Sequence, residues 1–351
     1  MDFQAMLKAE KARAKAESAA TAAAAAAAFA GSQHLPVFND LGGGIAICEA
    51  FLTDAEQRAL TTSIDAIPTG DWAELTQRRL LNLGGVPHPS GSWSEPLPPD
   101  ITSLCVARLT QLSAFPPEAP PDHVLLNEYH QGAGIDPHRD GPLFLPTAAI
   151  VSLEGDAVME FFTEQQQQQQ TGAAVASGSG VPSAGDACDG DDGALSGAMA
   201  ARHPALVAVR SVLLRAGSCL VFRGEAYTTL RHGIADAAVD IVQPHCANAR
   251  MPTALPAALP AALHAGASSP PVLSPEPLPV PSPGFAPAPA PAVGDRVARP
   301  PRRRSLTLRK LANVANAVGA FEVLGIEEEA ERLRRRAWWL GSISEKPRPV
   351  G

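Results

Sequence analysis

Two histidines and one aspartate stand where a divalent metal could use them. His138 and Asp140 are two residues apart, and His232 lies far downstream. Side chains two apart on an extended backbone point the same way, so His138 and Asp140 would share a face. Two imidazoles and one carboxylate on one side of a metal leave its other positions open, which is the ligand set of non-haem Fe(II) oxygenases. The open positions suit a bidentate oxo-acid and dioxygen. A second alternating segment runs Arg303-Arg304-Ser305-Leu306-Thr307-Leu308-Arg309. Its period puts Arg303, Ser305, Thr307 and Arg309 on one face, and Leu306 and Leu308 on the other. Arginine binds carboxylates through two parallel hydrogen bonds, a geometry that lysine cannot match. Asn127 and Tyr129 close an apolar run and can add an amide and a hydroxyl to the same anion.

The order of these motifs, N-x-Y, H-x-D, a lone His and R-x-S-x-T-x-R, resembles the AlkB family of Fe(II)/2-oxoglutarate-dependent dioxygenases. The strings Arg79–Pro89, His138–Leu143 and Arg223–Ile234 are similar to the sixth-homologue branch of that family in eukaryotes. The resemblance covers residues 34–163, 204–242 and 300–311. It implies a distorted double-stranded β-helix with Fe(II) on His138, Asp140 and His232, and with 2-oxoglutarate and O2 as co-substrates. It also implies 2-oxoglutarate contacts from Asn127, Tyr129, Arg303, Ser305, Thr307 and Arg309. Arg303 would hold the distal carboxylate and Arg309 the keto-acid end. Relatives often carry Asn where this chain has Ser305, which removes one amide from that contact.

The expected reaction is hydroxylation of a C–H bond with release of succinate and CO2. For an N-methyl group, it would continue to formaldehyde and the demethylated base. Nucleic acid, single-stranded or with a flipped base, is the partner that the resemblance implies. In relatives the region around residues 72–91 forms part of a lid, which makes Trp72, Arg78, Arg79 and His88 candidate substrate contacts. Turn-building by Gly84, Gly85 and Pro87 is the plainer reading of that string. Aromatic residues make up only 5% of the chain, so base-stacking platforms are few. Two alternatives therefore stay open: a protein-directed hydroxylase or demethylase of the same fold, and a non-catalytic nucleic-acid-binding adaptor.

Composition narrows the setting. A net charge of −8 gives no global basic signal for nucleic acid, although arginines cluster late in the chain. The five cysteines are scattered without C-x-x-C pairs, a usage that fits reduced thiols in the nucleus or cytoplasm. The longest apolar run, Ala22–Ala30, is too short to span a membrane. Asp2, Glu10 and Glu17 argue against an organellar transit peptide, since such peptides are acid-poor. A monomer is expected.

The elements that must position these residues read as mainly β with flanking helices (α+β). Short runs at His123–Tyr129, Thr147–Leu153, Ala157–Phe162, Ala205–Leu214, Cys219–Phe222 and Arg304–Arg309 predict strands, and strands in series fit a jelly roll. Long helices do not alternate with them, which disfavours a parallel α/β sheet. Tyr227–Arg231 reads as strand-like before His232. Thr53-Asp54-Ala55-Glu56 is a capping box opening a helix with Leu60, Ile64 and Ile67 on one side. A second helix is expected around Ile101–Ser113. Residues 1–33 read as an alanine-rich helix, 34–312 as the dioxygenase domain and 313–351 as a helical tail. Within that domain, the glutamine-rich stretch 164–203 and the proline-rich stretch 244–300 read as disordered inserts. Arg302 and Arg304 are expected to face solvent. The tail, with Glu328/Arg332 and Glu331/Arg335 as pairs, reads as a solvated helix that Trp338 and Trp339 dock on the body.

Overall fold

Apolar residues on both faces of several strands dictate a sheet covered on both sides. In the chain's computed structural model, which describes residues 36–89, 91–164, 205–250, 290–314 and 326–344, that sheet has eight strands. The strands are β1 (Asn39–Gly42), β2 (Ile45–Cys48), β3 (Ala73–Glu74), β4 (Arg78–Leu83), β5 (Gly85–Val86), β6 (Trp93–Ser94), β7 (His123–His130) and β8 (Ile135–His138). They continue with β9 (Phe144–Glu154), β10 (Ala157–Glu164), β11 (Leu206–Leu214), β12 (Cys219–Arg223), β13 (Arg231–Ile234), β14 (Val239–Ile241), β15 (Arg296–Ala298) and β16 (Arg302–Leu311). The large sheet runs β1-β2-β12-β9-β16-β7-β4-β3, and a smaller one runs β11-β10-β13-β8. Their strand pairs are antiparallel, and the two sheets form a jelly roll.

Alternation sorts the two cores. Ile45, Ile47, Ala148, Ile150, Leu220 and Phe222 point between the sheets, where they meet Met159, Phe161, Val212 and Leu214 of the smaller sheet. Their neighbours Cys48, Ala149, Val151, Cys219, Val221, Leu306 and Leu308 point to the opposite face. There they meet Leu60 and Ile64 of α1 (Asp54–Asp65), and Leu104, Cys105 and Leu109 of a second helical stretch. That stretch runs through Pro99–Ile101, Thr102–Val106 and Ala107–Gln111, with a π-turn at its centre. The capping box of α1 forms as expected: Glu56 N donates to Thr53 Oγ1 at 3.2 Å, and Thr53 N donates to Glu56 Oε2 at 2.8 Å. The same Glu56 carboxylate pairs with buried Arg108 at 2.6 Å, tying the two helices together. Four cysteines, Cys48, Cys105, Cys219 and Cys246, are free and buried.

Several expectations change. The strand-like reading of Tyr227–Arg231 gives way to a short helix, Glu225–Thr228, with β13 starting only at Arg231. The proline-rich insert was drawn too wide. Asn248 holds Leu213 N and O at 2.9 Å each, and β15 pairs with β14. Arg299 forms a buried ion pair with Asp240 at 2.6 Å, so residues 244–250 and 290–300 are built into the body. The alanine-rich helix, the glutamine-rich insert past Glu164 and residues 251–289 lie outside the described residues.

The C-terminal helix, Ile326–Ser344, is not merely solvated. Glu331 pairs with Arg335 at 2.7 Å, and Arg335 also donates to the Gly91 carbonyl and lies 5.3 Å over the Trp93 ring. Arg336 reaches the Asp71 carbonyl at 2.6 Å. No described helix is long and apolar enough to cross a membrane.

Candidate metal and oxo-acid site

The site is set by one cross-strand pair and three parallel rows of side chains. His138 at the end of β8 lies directly opposite His232 on β13, and their rings are 4.4 Å apart. Asp140 follows two residues past the end of β8. One ligand atom from each of the three lies within 4.8 Å of the others. The His138 Nδ1 sits 2.9 Å from the Asp136 carbonyl. A carbonyl only accepts, so Nδ1 carries the proton and Nε2 keeps its lone pair for a ligand. Phe222 and Phe161 flank the His232 ring at 4.8 and 6.2 Å and fix its orientation.

Electrostatics leave these groups in the forms a metal needs. Burial lowers His138 below its ordinary value, and burial with the neighbouring His138 pushes His232 down to about 3. Both imidazoles are therefore neutral at pH 7. For Asp140 burial works the other way, but Arg309, His232 and His138 outweigh it and hold the carboxyl below its usual range. Arg309 Nη1 donates to Asp140 Oδ1 at 2.8 Å, while the buried Oδ2 has no hydrogen-bond partner. A buried carboxylate oxygen without a hydrogen-bond partner, within 4.8 Å of two neutral imidazoles, is a donor set that fits a divalent cation.

The rows come from β4, β7 and β16, which lie side by side. Arg78, Tyr129 and Arg303 form one row, with both guanidinium groups 5.7 Å from the Tyr129 ring centre. Leu80, Asn127 and Ser305 form the next. Asn82, Leu125 and Thr307 form the third, and Arg309 lies one step further along β16. All these positions face a cleft of about 890 Å³ that also holds His138, Asp140 and His232. Arg303 is buried and donates to Ser152 Oγ at 3.0 Å, yet its Nε has no partner. Asn127 Oδ1 and Arg309 Nε are also buried without partners. Buried polar atoms this concentrated indicate a polar ligand, and two arginines indicate an anionic one.

Three of the four proposed substrate contacts lie elsewhere. Alternation on β4 turns Arg79 to the opposite face, where it pairs with Glu128 at 2.8 Å and covers the Trp72 ring at 4.3 Å. Trp72 itself is buried in the helix-covered core. His88 meets the edge of Trp338 at 4.6 Å and does not line the cleft. Only Arg78 stays. Arg304 is likewise not solvent-facing: it is fully buried and bound to Glu128 at 2.7 Å and to Asp65. The cleft also takes Trp338 and Trp339 from the C-terminal helix, and Arg139, Leu143 and Phe144. Nothing periodic in the sequence pointed those five at the site.

The chain is 37% identical over 112 residues to a zebrafish (Danio rerio) protein described as a probable RNA/DNA demethylase, ALKBH6. The matched relative is an AlkB homologue, in agreement with the resemblance that the motifs carry. The match covers 32% of this chain and 47% of the zebrafish protein, so it spans about half the length of that relative. No family model matches the chain. Among solved structures it is similar to OsALKBH1, with a TM-score of 0.38 and 13% identity over 78% of this chain and 99% of the other. An oxidoreductase of the 2OG-Fe(II) oxygenase family from Burkholderia pseudomallei also gives a TM-score of 0.38, at 11% identity, over 79% and 89% of the two chains.

Proposed function

We propose that this chain is an AlkB-family Fe(II)/2-oxoglutarate-dependent dioxygenase that oxidatively demethylates N-alkylated nucleic acid. The observation that carries the reading is the convergence of His138, Asp140 and His232 within 4.8 Å, beside two buried arginines with unpartnered nitrogens. The zebrafish relative's description supports the substrate class. His138, Asp140 and His232 would hold the metal; Arg303 and Arg309, with Asn127, Tyr129, Ser305 and Thr307, would hold the co-substrate. When bound, Fe(II) and 2-oxoglutarate with O2 supply the oxidising equivalent for C–H hydroxylation, with succinate and CO2 as products.

The chain's own residues do the rest. Arg303, already buried, contributes a cation whose desolvation Ser152 and the Tyr129 ring offset in part and an arriving anion would offset further. Arg309 bridges toward the metal side by holding one Asp140 oxygen, which leaves the other oriented for the ion. The cleft is recessed, so a stacked base cannot reach its floor; an unstacked or flipped one can. Arg78 and the half-exposed Arg139 stand in its lining as phosphate partners.

The test is release of succinate and formaldehyde, measured across methylated oligonucleotides and methylated peptides. Turnover confined to peptides would move the substrate to protein. A more local prediction separates the two adjacent arginines. Arg78→Ala should weaken single-strand binding and flatten its dependence on salt, because one phosphate contact is lost. Arg79→Ala should instead lower thermal stability with little effect on binding. Identical binding and salt slopes in Arg78→Ala and the parent would remove Arg78 from the interface.

A further inference from the structure

We propose that the C-terminal helix is a substrate-binding wall of the cleft, with Trp338 as the surface on which the planar ring of the substrate packs. This inference rests on the nucleic-acid reading above and assigns that substrate a contact outside the β core.

The helix is fixed in place rather than adjacent by chance. Arg335 is buried despite its charge, held by Glu331 at 2.7 Å, by the Gly91 carbonyl and by the Trp93 ring. Arg336 adds the Asp71 carbonyl at 2.6 Å. Both arginines thus grip the segment that flanks β4, the strand that presents Arg78 to the cleft. One turn further along, Trp338 and Trp339 enter the lining. Trp338 remains 41% exposed, touched at its edge by His88 at 4.6 Å and 67°.

An indole left open inside a concave, polar site is apolar surface that a ligand can cover. A nucleobase offers a flat π-face of the right kind, and alkylation at a ring nitrogen that carries no hydrogen, such as adenine N1 or cytosine N3, gives it positive charge. Indole is the strongest aromatic partner for a cation. The two features together favour an alkylated base over an aliphatic peptide side chain. Arg335 is then a positioning residue, since it sets where Trp338 stands without entering the cleft.

The experiment measures binding of a labelled single-stranded oligonucleotide, carrying one ring-N-methylated base, to the full chain by fluorescence anisotropy. Trp338→Ala should lose roughly 5- to 150-fold in affinity, the range of a single base–aromatic stack. Trp338→Phe should recover most of it, and 2-oxoglutarate affinity, titrated in parallel, should hold in both. Undiminished oligonucleotide binding in Trp338→Ala would overturn the wall and leave the nucleic-acid reading standing. A Phe variant as weak as the Ala variant would overturn the stacking role. Failure of the parent chain to bind any such oligonucleotide would overturn the nucleic-acid reading, and the wall's ligand with it.

Discussion

Asp140→Ala is expected to abolish 2-oxoglutarate turnover while leaving the protein folded. Even groups that merely orient a metal ligand are worth about 10- to 100-fold in affinity, so loss of the carboxylate itself should exceed about 100-fold. Two effects add. The metal loses the one carboxylate of the His138–Asp140–His232 set found among the described residues, and Arg309 loses the partner that Asp140 Oδ1 provides at 2.8 Å. Asp140→Asn keeps the shape but not the charge and should fail nearly as badly. A chelator should silence the parent chain reversibly, with activity restored by Fe(II). Metal titration and succinate release, alongside circular dichroism, check the result. Undiminished turnover in a correctly folded Asp140→Ala would sink the metal assignment.

Arg304→Ala should be strongly destabilising although Arg304 lies outside the site. Arg304 is fully buried and holds Glu128 at 2.7 Å, Glu154 at 3.5 Å, and Asp65. Removing one partner of a buried pair costs about 3–5 kcal/mol because the other charge stays desolvated. Arg79 still holds Glu128 from the far side, which argues for the lower end, about 3 kcal/mol. A melting-temperature drop on the order of 10 °C follows for a domain of this size. A drop of only a degree or two would contradict it. The network also sets an acid limit. Burial raises the Glu128 carboxyl, but Arg79 and Arg304 outweigh it, so its folded pKa lies below the ordinary 4.5. Asp65 is lowered by Arg304 in the same way. Depressed carboxylates contribute stability above their unfolded values and lose it as pH falls through the folded ones. The parent should therefore lose stability steadily below about pH 4.5, and Arg304→Ala should lose less of it over that window.

Much of the site was legible because a strand's period of two writes faces into sequence. Arg303, Ser305, Thr307 and Arg309 share the cleft, and Leu306 and Leu308 the opposite core, as alternation requires. His138 and His232 were legible only as residue types in order; their meeting depends on β8 pairing with β13, which no local pattern encodes. The same rule that located Arg303 should have excluded Arg79 from the cleft and put Arg304 on the buried face of Leu306 and Leu308 rather than in solvent, since each follows a cleft-facing arginine by one residue. Their partner Glu128 lies between Asn127 and Tyr129, so all three belong to the other face. Composition drew the proline-rich insert at 244–300, but Asn248 and Arg299 act through contacts distant in sequence, to Leu213 and Asp240. Trp338 and Trp339 were read as docking the tail on the body, but their place in the cleft stayed hidden for the same reason.

The alternating arginines have a consequence for how β16 finds its place. Sliding that strand by one residue against β7 would exchange its two faces completely. Leu306 and Leu308 would then confront the polar cleft, and Arg303 and Arg309 would be driven among the side chains of the helix-covered core. In the slide that brings Ser305 opposite Glu128, Arg304 would at the same time leave that carboxylate behind without it, in a place where an unpaired charge is costly. The exchange of faces penalises a slip in either direction, so the observed alignment is strongly favoured. A buried ion network that adds little to net stability can still act as an alignment key for the neighbouring site, and a strand broken off from it by Arg304→Ala should show the error as heterogeneity rather than as unfolding alone.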